Sequence, residues 1–217
     1  MSVNRSVSQP PAAFIILGLT VAAYFLQSMN EIETMRLFAL WPLATPDQMR
    51  FTGIGVLDTG FGAWQLISYG FMHGGIGHLF FNMFALYMFG LPIERAWGTQ
   101  RFVIFYVVCM VGAGLVQLLT AAVTESIIPT VGASGAIFGL LLAFGMMYPN
   151  QRIMLLIPPI PIKAKYFVVG YGLLTLFLGI TGTNNGVAHF AHLGGMLFGL
   201  GLILYWGRSD FRQRNTR

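Results

Sequence analysis

Residues 127–148 read IIPTVGASGAIFGLLLAFGMMY and contain no charged side chain. The apolar run from Ser134 to Tyr148 is 15 residues long, and Pro149 ends it. A helix of that length is roughly 22 Å long, whereas the hydrocarbon core of a bilayer is about 30 Å thick. The residues before Ser134 must therefore enter the bilayer without regular helix, which requires surrounding protein or a water-filled cavity. The stretch predicts a short helix that begins at Ser134, at the floor of a wet cavity that opens outward.

The whole chain shares this apolar composition. Of its 217 residues only 9% are charged and 56% are hydrophobic, whereas about 25% are charged in a typical soluble protein. So few charges cannot cover a soluble globule of this size, which argues against a soluble enzyme, a disordered chain or a nucleic-acid binder. The net charge of +5 belongs to loops. The single cysteine, Cys109, can form neither an intrachain disulfide nor a thiolate metal cage.

The charged residues divide the chain into long uncharged runs. Four runs each hold one spanning helix of about 20 residues. The fifth, between Lys165 and Arg208, holds two helices separated by the turn-forming residues 181–186. The sequence therefore predicts an all-α polytopic membrane protein, a bundle of six transmembrane helices in a single membrane domain over residues 1–217. Pro92 is predicted to end the second helix. The predicted spans are 12–28, 74–92, 102–122, 134–148, 166–180 and 187–206.

Lysine and arginine in the loops predict the orientation of the chain. With both termini inside, ten of these residues lie in inner segments and two, Arg36 and Arg50, lie in outer loops. An N-in, C-in topology is therefore expected. The long outer loop, 30–64, is half apolar and is expected to lie along the membrane surface. A cleaved signal peptide is the alternative for the first span, but its weak basic region and weak cleavage site favour a retained helix.

Polar side chains are costly inside a bilayer, so each one requires an explanation. A rise of 1.5 Å per residue from the inner helix ends places Ser134, His78 and His192 at one level, roughly 20 Å above the inner face. A lone serine in such a helix usually bonds its own backbone, but all four histidines of the chain lie in, or one residue before, two predicted spans. His73 and His189 fall about one turn higher; His189 is a secondary candidate, and neither is given a role. The shared level predicts a polar site recessed below the outer surface.

Two glycine stripes indicate which helix faces meet. One stripe lies on the face of His192 and the other lies beside Ser134; their members are Gly195, Gly199, Gly135 and Gly139. Small residues three or four apart let helices approach closely. If these two faces meet, His192 lies beside Ser134, whereas the plainer interpretation is tight packing alone.

A serine hydroxyl beside an imidazole is a nucleophile beside its base. None of the seven Asp and Glu residues falls at the level of His192, so a hydrolase would use a dyad of Ser134 and His192 and not a triad. His78 and Asn82 are one turn apart on one helix face, and both can donate hydrogen bonds. Together with the backbone N–H of Ser134, these side chains are predicted to form an oxyanion hole.

At these residues the chain resembles the rhomboid family of intramembrane serine proteases. Residues 132–135 (GASG) are similar to its GxSG nucleophile motif, and 192–199 (HLGGMLFG) to its histidine helix. Residues 73–82 (HGGIGHLFFN) are similar to its HxxxxHxxxN helix, and 94–98 (ERAWG) to its ER-x-x-G turn. The motifs follow the family's order between about residues 64 and 206. GxSG alone is weak, but the four motifs at these spacings are specific.

The resemblance implies a serine endopeptidase that cleaves transmembrane segments through an acyl-enzyme. Ser134 would be the nucleophile and His192 the base, while His78, Asn82 and the Ser134 N–H would bind the oxyanion. The supporting residues would be Gly132, Gly135, Phe138, Gly195 and Gly199. No cofactor and no metal is expected.

Two positions depart from the family pattern. Phe138 stands where many members have a tyrosine stacked on the histidine. Gln65 follows Trp64 where some members have arginine, which puts the anchoring of the outer loop in doubt.

The resemblance also implies partners and a location. Transmembrane protein substrates and the lipid bilayer are the expected partners, without nucleic acid. The short tails suit a bacterial inner membrane, with the site opening to the outer side.

Other functions remain open at this point. The segment 168–172 (VVGYG) resembles a potassium filter, but it begins three residues after Lys165 and lacks the leading threonine. A membrane zinc protease would need HExxH, which is absent from the sequence. A catalytically silent rhomboid-like protein that holds membrane clients is the third alternative, although Ser134 and His192 are both present.

Overall fold

The computed structural model describes residues 11–51, 55–155, 159–182 and 188–215, the last eight of these as backbone only. Nearly all of the described secondary structure is helical. The long helices are α1 (Ala12–Met29), α6 (Thr99–Thr124), α7 (Ser134–Met147), α8 (Ala164–Thr181) and α9 (His189–Asn215). The shorter helices are α2 (Glu31–Phe38), α3 (Gln65–Ser68), α4 (Ile76–Ala85) and α5 (Leu91–Trp97).

Two small antiparallel hairpins lie in loops. Strands β1 (Gln48–Phe51) and β2 (Gly55–Asp58) pair in the loop between α2 and α3. Strands β3 (Arg152–Met154) and β4 (Pro161–Lys163) pair between α7 and α8.

By length and composition, five helices in the described part of the chain can cross a membrane, and α7 is a shorter apolar helix. Each predicted span overlaps one of these segments. The segment predicted as 187–206 begins as helix at His189 and is apolar to Gly207, and the helix continues past Trp206 to Asn215. The predicted turn at 181–186 lies mostly outside the described residues. The count of six spans and the N-in, C-in orientation stay predictions.

Pro92 does not end the second span, contrary to the sequence-based prediction. The helix runs on from α4 through a π-helical turn, Leu86–Gly90, and through α5 to Trp97. A proline ring clashes with the carbonyl four residues earlier and offers no N–H. The wider π-helical turn lies directly before Pro92 and changes the hydrogen-bonding register there. The helix ends at Gly98, whose φ of 81° suits glycine.

Helices α6, α7 and α9 form the centre of the bundle, and glycine lets their backbones approach. A Cβ built on Gly195 would overlap the backbone carbonyl of Gly135, and a Cβ on Gly139 would lie 3.1 Å from the carbonyl oxygen of Gly195. A Cβ on Gly199 would lie 3.4 Å from the Cα of Gly139. The two predicted glycine stripes therefore meet, and α7 is buried along most of its length.

The segment before α7 enters the protein as extended chain and not as helix. Leu40 and Thr130 exchange two backbone hydrogen bonds of 2.9 Å, which ties this segment to the outer loop. The N–H of Gly132 donates to the carbonyl of Tyr69 at 2.9 Å. Since protein groups satisfy these backbone atoms, non-helical chain is tolerated at this position.

Helix α1 is attached to the bundle by buried polar side chains near both of its ends. The Glu94 carboxylate accepts the N–H groups of Ala12 at 2.7 Å and Ala13 at 2.9 Å, which are free donors in the first turn of a helix. The Gln27 amide pairs with the backbone of His73, donating at 2.8 Å and accepting at 3.0 Å. The position of the Glu94 carboxylate at the start of α1 is also favoured by the positive end of that helix's dipole.

The outer loop is anchored without an arginine after Trp64. The indole N–H of Trp64 donates to the carbonyl of Leu37 at 2.8 Å. The Gln65 side chain accepts the N–H of Trp41 at 3.1 Å and donates to the carbonyl of Gly60 at 3.2 Å. Glutamine therefore anchors the loop at two points, Trp41 and Gly60. Its predicted position along the membrane surface stays a prediction.

The close approach of α7 and α9 predicts the effect of a single methyl group. Gly195→Ala is expected to destabilise the protein by about 1–3 kcal/mol or more, because the new Cβ overlaps backbone that cannot turn away. The midpoint of thermal unfolding in detergent micelles measures this. Gly201→Ala is the matched control, since a Cβ on Gly201 of the same helix meets nothing within 4 Å, and alanine favours helix by about 1 kcal/mol. Equal midpoints for the two variants would contradict the packing argument.

Candidate active site

Ser134 lies at the first residue of α7, where the chain turns from extended to helical. Gly132 makes this turn with a φ of 123°, a conformation that side chains other than glycine rarely adopt. A Cβ on Gly132 would lie 2.7 Å from His78 Cε1 and 3.8 Å from Ser134 Oγ. The glycine therefore lets the His78 ring and the Ser134 hydroxyl share the same small space. Because α7 starts here, the backbone N–H groups of its first turn have no helical acceptor.

The side chains of Ser134 and His192 are within hydrogen-bonding distance although 58 residues separate them in the sequence. The Nε2 atom of His192 is 2.7 Å from the Oγ atom of Ser134. His192 is buried, near the N-terminal end of α9. The glycine contacts between α7 and α9 set this distance, since a larger residue at Gly195 would overlap the Gly135 carbonyl and separate the two helices.

The His192 imidazole stacks on the ring of Phe138, one turn below Ser134. The ring centroids are 4.2 Å apart and the planes differ by 7°. Phenylalanine therefore provides the stacking surface at the position where the sequence departs from the tyrosine of many family members. The opposite face of Phe138 is covered by Tyr171 of α8, at 4.9 Å and 27°.

His78 and Asn82 lie on α4 at the side of the site. His78 Nδ1 accepts the N–H of Gly74 at 3.3 Å, which leaves its Nε2 beside the position of a Gly132 Cβ. The Asn82 side chain is buried and its Nδ2 donates to the carbonyl of His78 at 2.9 Å. One hydrogen of the Asn82 amide thus serves its own helix, and one remains for another acceptor.

The other two histidines line the site without reaching Ser134. The His73 ring contacts the ring of His78 edge-on, with centroids 4.9 Å apart. The His189 ring is 6.2 Å from that of His192 and perpendicular to it. Both ring nitrogens of His189 are buried, and the described part of the chain offers them no hydrogen-bond partner.

Two residues of the site were missed in the sequence. The carbonyl of Tyr69 accepts the N–H of Gly132, two residues before Ser134. The Tyr69 hydroxyl donates to the carbonyl of Met110 at 2.7 Å. Tyr171 covers Phe138. Tyr69 lies in a short helical stretch with no motif, and Tyr171 lies in a segment that resembled a potassium filter, so neither carried a usable signal.

The comparisons with known proteins all identify rhomboid proteins as similar to this chain. A family model described as the Rhomboid domain matches residues 60–209. RHOMBOID-like protein 4 of Arabidopsis thaliana is 34% identical over 75% of this chain and 41% of its own length. Rhomboid protein 1, mitochondrial, of Saccharomyces cerevisiae is 26% identical over 99% of this chain and 69% of its own length. Rhomboid protease GluP of Bacillus subtilis is 30% identical over 88% of this chain and 34% of its own length.

The family model covers most of the chain, including every residue discussed at this site, although the chain spans less than half of the Arabidopsis and Bacillus proteins. The composition and the long apolar helices agree with a multi-pass integral membrane protein. We conclude that the chain belongs to the rhomboid family.

Proposed function

We propose that this protein is an intramembrane serine endopeptidase that cleaves the transmembrane segments of other membrane proteins. The observation that carries the proposal is the 2.7 Å distance between His192 Nε2 and Ser134 Oγ at the start of a short, buried helix. One relative, GluP, is named a rhomboid protease. No cofactor or metal takes part in the proposed reaction.

In the proposed reaction His192 is the general base. Its Nε2 takes the proton of the Ser134 hydroxyl while Oγ attacks the carbonyl carbon of the scissile bond. The imidazolium then donates that proton to the leaving amine, and an acyl-enzyme remains. A water molecule, deprotonated by His192, hydrolyses the ester and restores Ser134.

The imidazole is oriented by ring packing in place of a carboxylate. The described contacts of the His192 ring are with Ser134, Phe138 and His189, and none of these is an acid. A flat ring stacked at 4.2 Å limits rotation of the imidazole about its own side-chain bonds. This supports a dyad in which Phe138 takes over part of the orienting role that an aspartate has in a triad.

The negative charge on the substrate oxygen needs donors on the His78 side of Ser134. The proposed donors are His78 Nε2, the free hydrogen of the Asn82 amide and the backbone N–H of Ser134. Free N–H groups at a helix N-terminus and the positive end of the helix dipole favour an anion at this position.

The substrate class follows from the surroundings of the site. The proposed site belongs to a helix that starts inside the bundle, so a peptide bond must reach it from the membrane and in extended form. Transmembrane proteins and the lipid bilayer are therefore the proposed partners, and segments that unwind easily are the preferred substrates. A six-span, N-in, C-in arrangement opens the site to the outer side. The bacterial inner membrane stays a prediction, since one relative is named mitochondrial.

An activated serine is expected to react with a fluorophosphonate probe. The purified wild-type protein in detergent should be labelled, whereas Ser134→Ala and His192→Ala should lose labelling by a factor of about 10³ or more, as nucleophile and base act as a unit. Gel fluorescence measures the labelling, and Gly201→Ala is the folded control. Absence of labelling in folded wild-type protein would contradict the proposal and favour a client-binding protein or a channel.

The proposed oxyanion donors are expected to affect the rate of the same reaction. His78→Ala and Asn82→Ala should each lower the maximal labelling rate by about 10²-fold, because one preorganised donor to the oxyanion is lost. The concentration dependence of labelling separates this rate from probe affinity. Phe81→Leu, at a position 60% exposed on the same helix, should label like wild type. A wild-type rate in the His78 variant would remove His78 from the proposed site.

The proposed orientation is tested by cysteine accessibility. Cys109 is buried and contributes little background. Asp47→Cys in the outer loop should react with a membrane-impermeant maleimide on intact cells, whereas Arg152→Cys should react only after permeabilisation. The reversed pattern would place the site on the other side of the membrane.

A further inference from the structure

The segment 168–172, whose sequence resembles a channel filter, is the surface by which α8 packs on the bundle. Val168 is buried, and a Cβ built on Gly145 of α7 would lie 2.6 Å from its Cγ2 atom. A Cβ on Gly172 would lie 3.4 Å from the Met196 side chain of α9. Between them Tyr171 lies flat on Phe138. The proposed function gives this segment no role, although it touches the ring that supports His192.

Four rings from three helices form one aromatic column. His192 of α9 stacks on Phe138 of α7 at 4.2 Å, Phe138 stacks on Tyr171 of α8 at 4.9 Å, and Tyr171 stacks on Phe167 at 5.6 Å. The planes of successive rings differ by 7°, 27° and 26°. Phe138 is therefore covered on both faces, by the imidazole and by the Tyr171 ring.

This column determines how firmly the imidazole is held. The second side-chain torsion of phenylalanine is broad, so a ring covered on one face only can rock about it. Tyr171 closes the open face of Phe138 and restricts that motion. The described contacts of the His192 ring include no carboxylate that would hold it. A rotation of the Phe138 ring therefore changes the direction in which His192 Nε2 points.

Helix α8 is otherwise lightly packed. Its buried residues are Ala164, Val168 and Thr175, and its apolar window is 17% buried, against 50% for α6. Besides its close approach to α9 at Gly172 and Gly179, the aromatic contact is thus one of a small number that relate the position of α8 to the site.

We propose that Tyr171 is a positioning residue for His192, which it orients through Phe138. The role in catalysis rests on the proposed function. This role requires Tyr171 of α8 to remain in contact with Phe138 while Ser134 is activated. A substrate that displaced this part of α8 would therefore let the His192 imidazole change its orientation.

Labelling kinetics with the fluorophosphonate probe test the role of Tyr171 in the reaction. Tyr171→Leu removes the ring at similar volume and should lower the maximal labelling rate about 3- to 10-fold with unchanged probe affinity. Tyr171→Phe retains the ring and should restore the wild-type rate. Phe177→Leu, at a position 62% exposed on the same helix, is the control and should label like wild type.

A double variant tests whether Tyr171 acts through Phe138. Phe138→Leu alone should lower the labelling rate, and adding Tyr171→Leu should then change it no further, because the intermediate ring is already gone. Independent, multiplying losses would overturn the proposal, as would a wild-type rate in Tyr171→Leu.

A measurement without activity separates this inference from the proposed function. In the Ser134→Ala protein, the His192 ring protons are assigned by NMR from their loss in the Ser134→Ala, His192→Ala double variant. Tyr171→Leu should move these signals, since the imidazole no longer stays over the Phe138 ring face, whereas Tyr171→Phe should leave them in place. Unmoved signals would overturn the positioning role. Moved signals without labelling of the wild type would support the positioning role and reject the protease.

Discussion

The contact between the backbones of α7 and α9 is the constraint on which the candidate site depends. Glycine at both surfaces lets the carbonyl of Gly135 occupy the place of a side chain at Gly195. That approach brings Ser134 Oγ to 2.7 Å from His192 Nε2. In a bilayer, lipid tails are as apolar as leucine, so helices associate through close packing and not through removal of apolar surface from water.

A second constraint sets where the helix of the nucleophile candidate begins. Helix α7 is shorter than the bilayer, and the extended chain before it is held by Leu40, Thr130 and the carbonyl of Tyr69. These partners satisfy backbone groups that lipid could not satisfy. The outer loop, itself anchored by Trp64 and Gln65, therefore contributes to the position of Ser134.

In the proposed dyad, ring packing provides the orientation that a carboxylate provides in a triad. The imidazole of His192 rests on Phe138, and Tyr171 of the lightly packed α8 covers the other face of that ring. An aromatic support avoids a buried carboxylate, which would be costly in hydrocarbon. The proposed positioning role of Tyr171 makes the site sensitive to the position of α8.

The sequence alone predicts which segments are apolar helices, that α7 is short, and which helix faces carry closely spaced glycines, because hydropathy and the rise of 1.5 Å per residue are local properties. It also placed Ser134, His78 and His192 near one level. The folded structure was needed to find that the two glycine faces meet, that the helix continues through Pro92, that Glu94 and Gln27 attach α1, and that Tyr69 and Tyr171 contact the site. Those contacts join residues far apart in the chain, and no local periodicity encodes which distant partner a side chain meets once the helices pack.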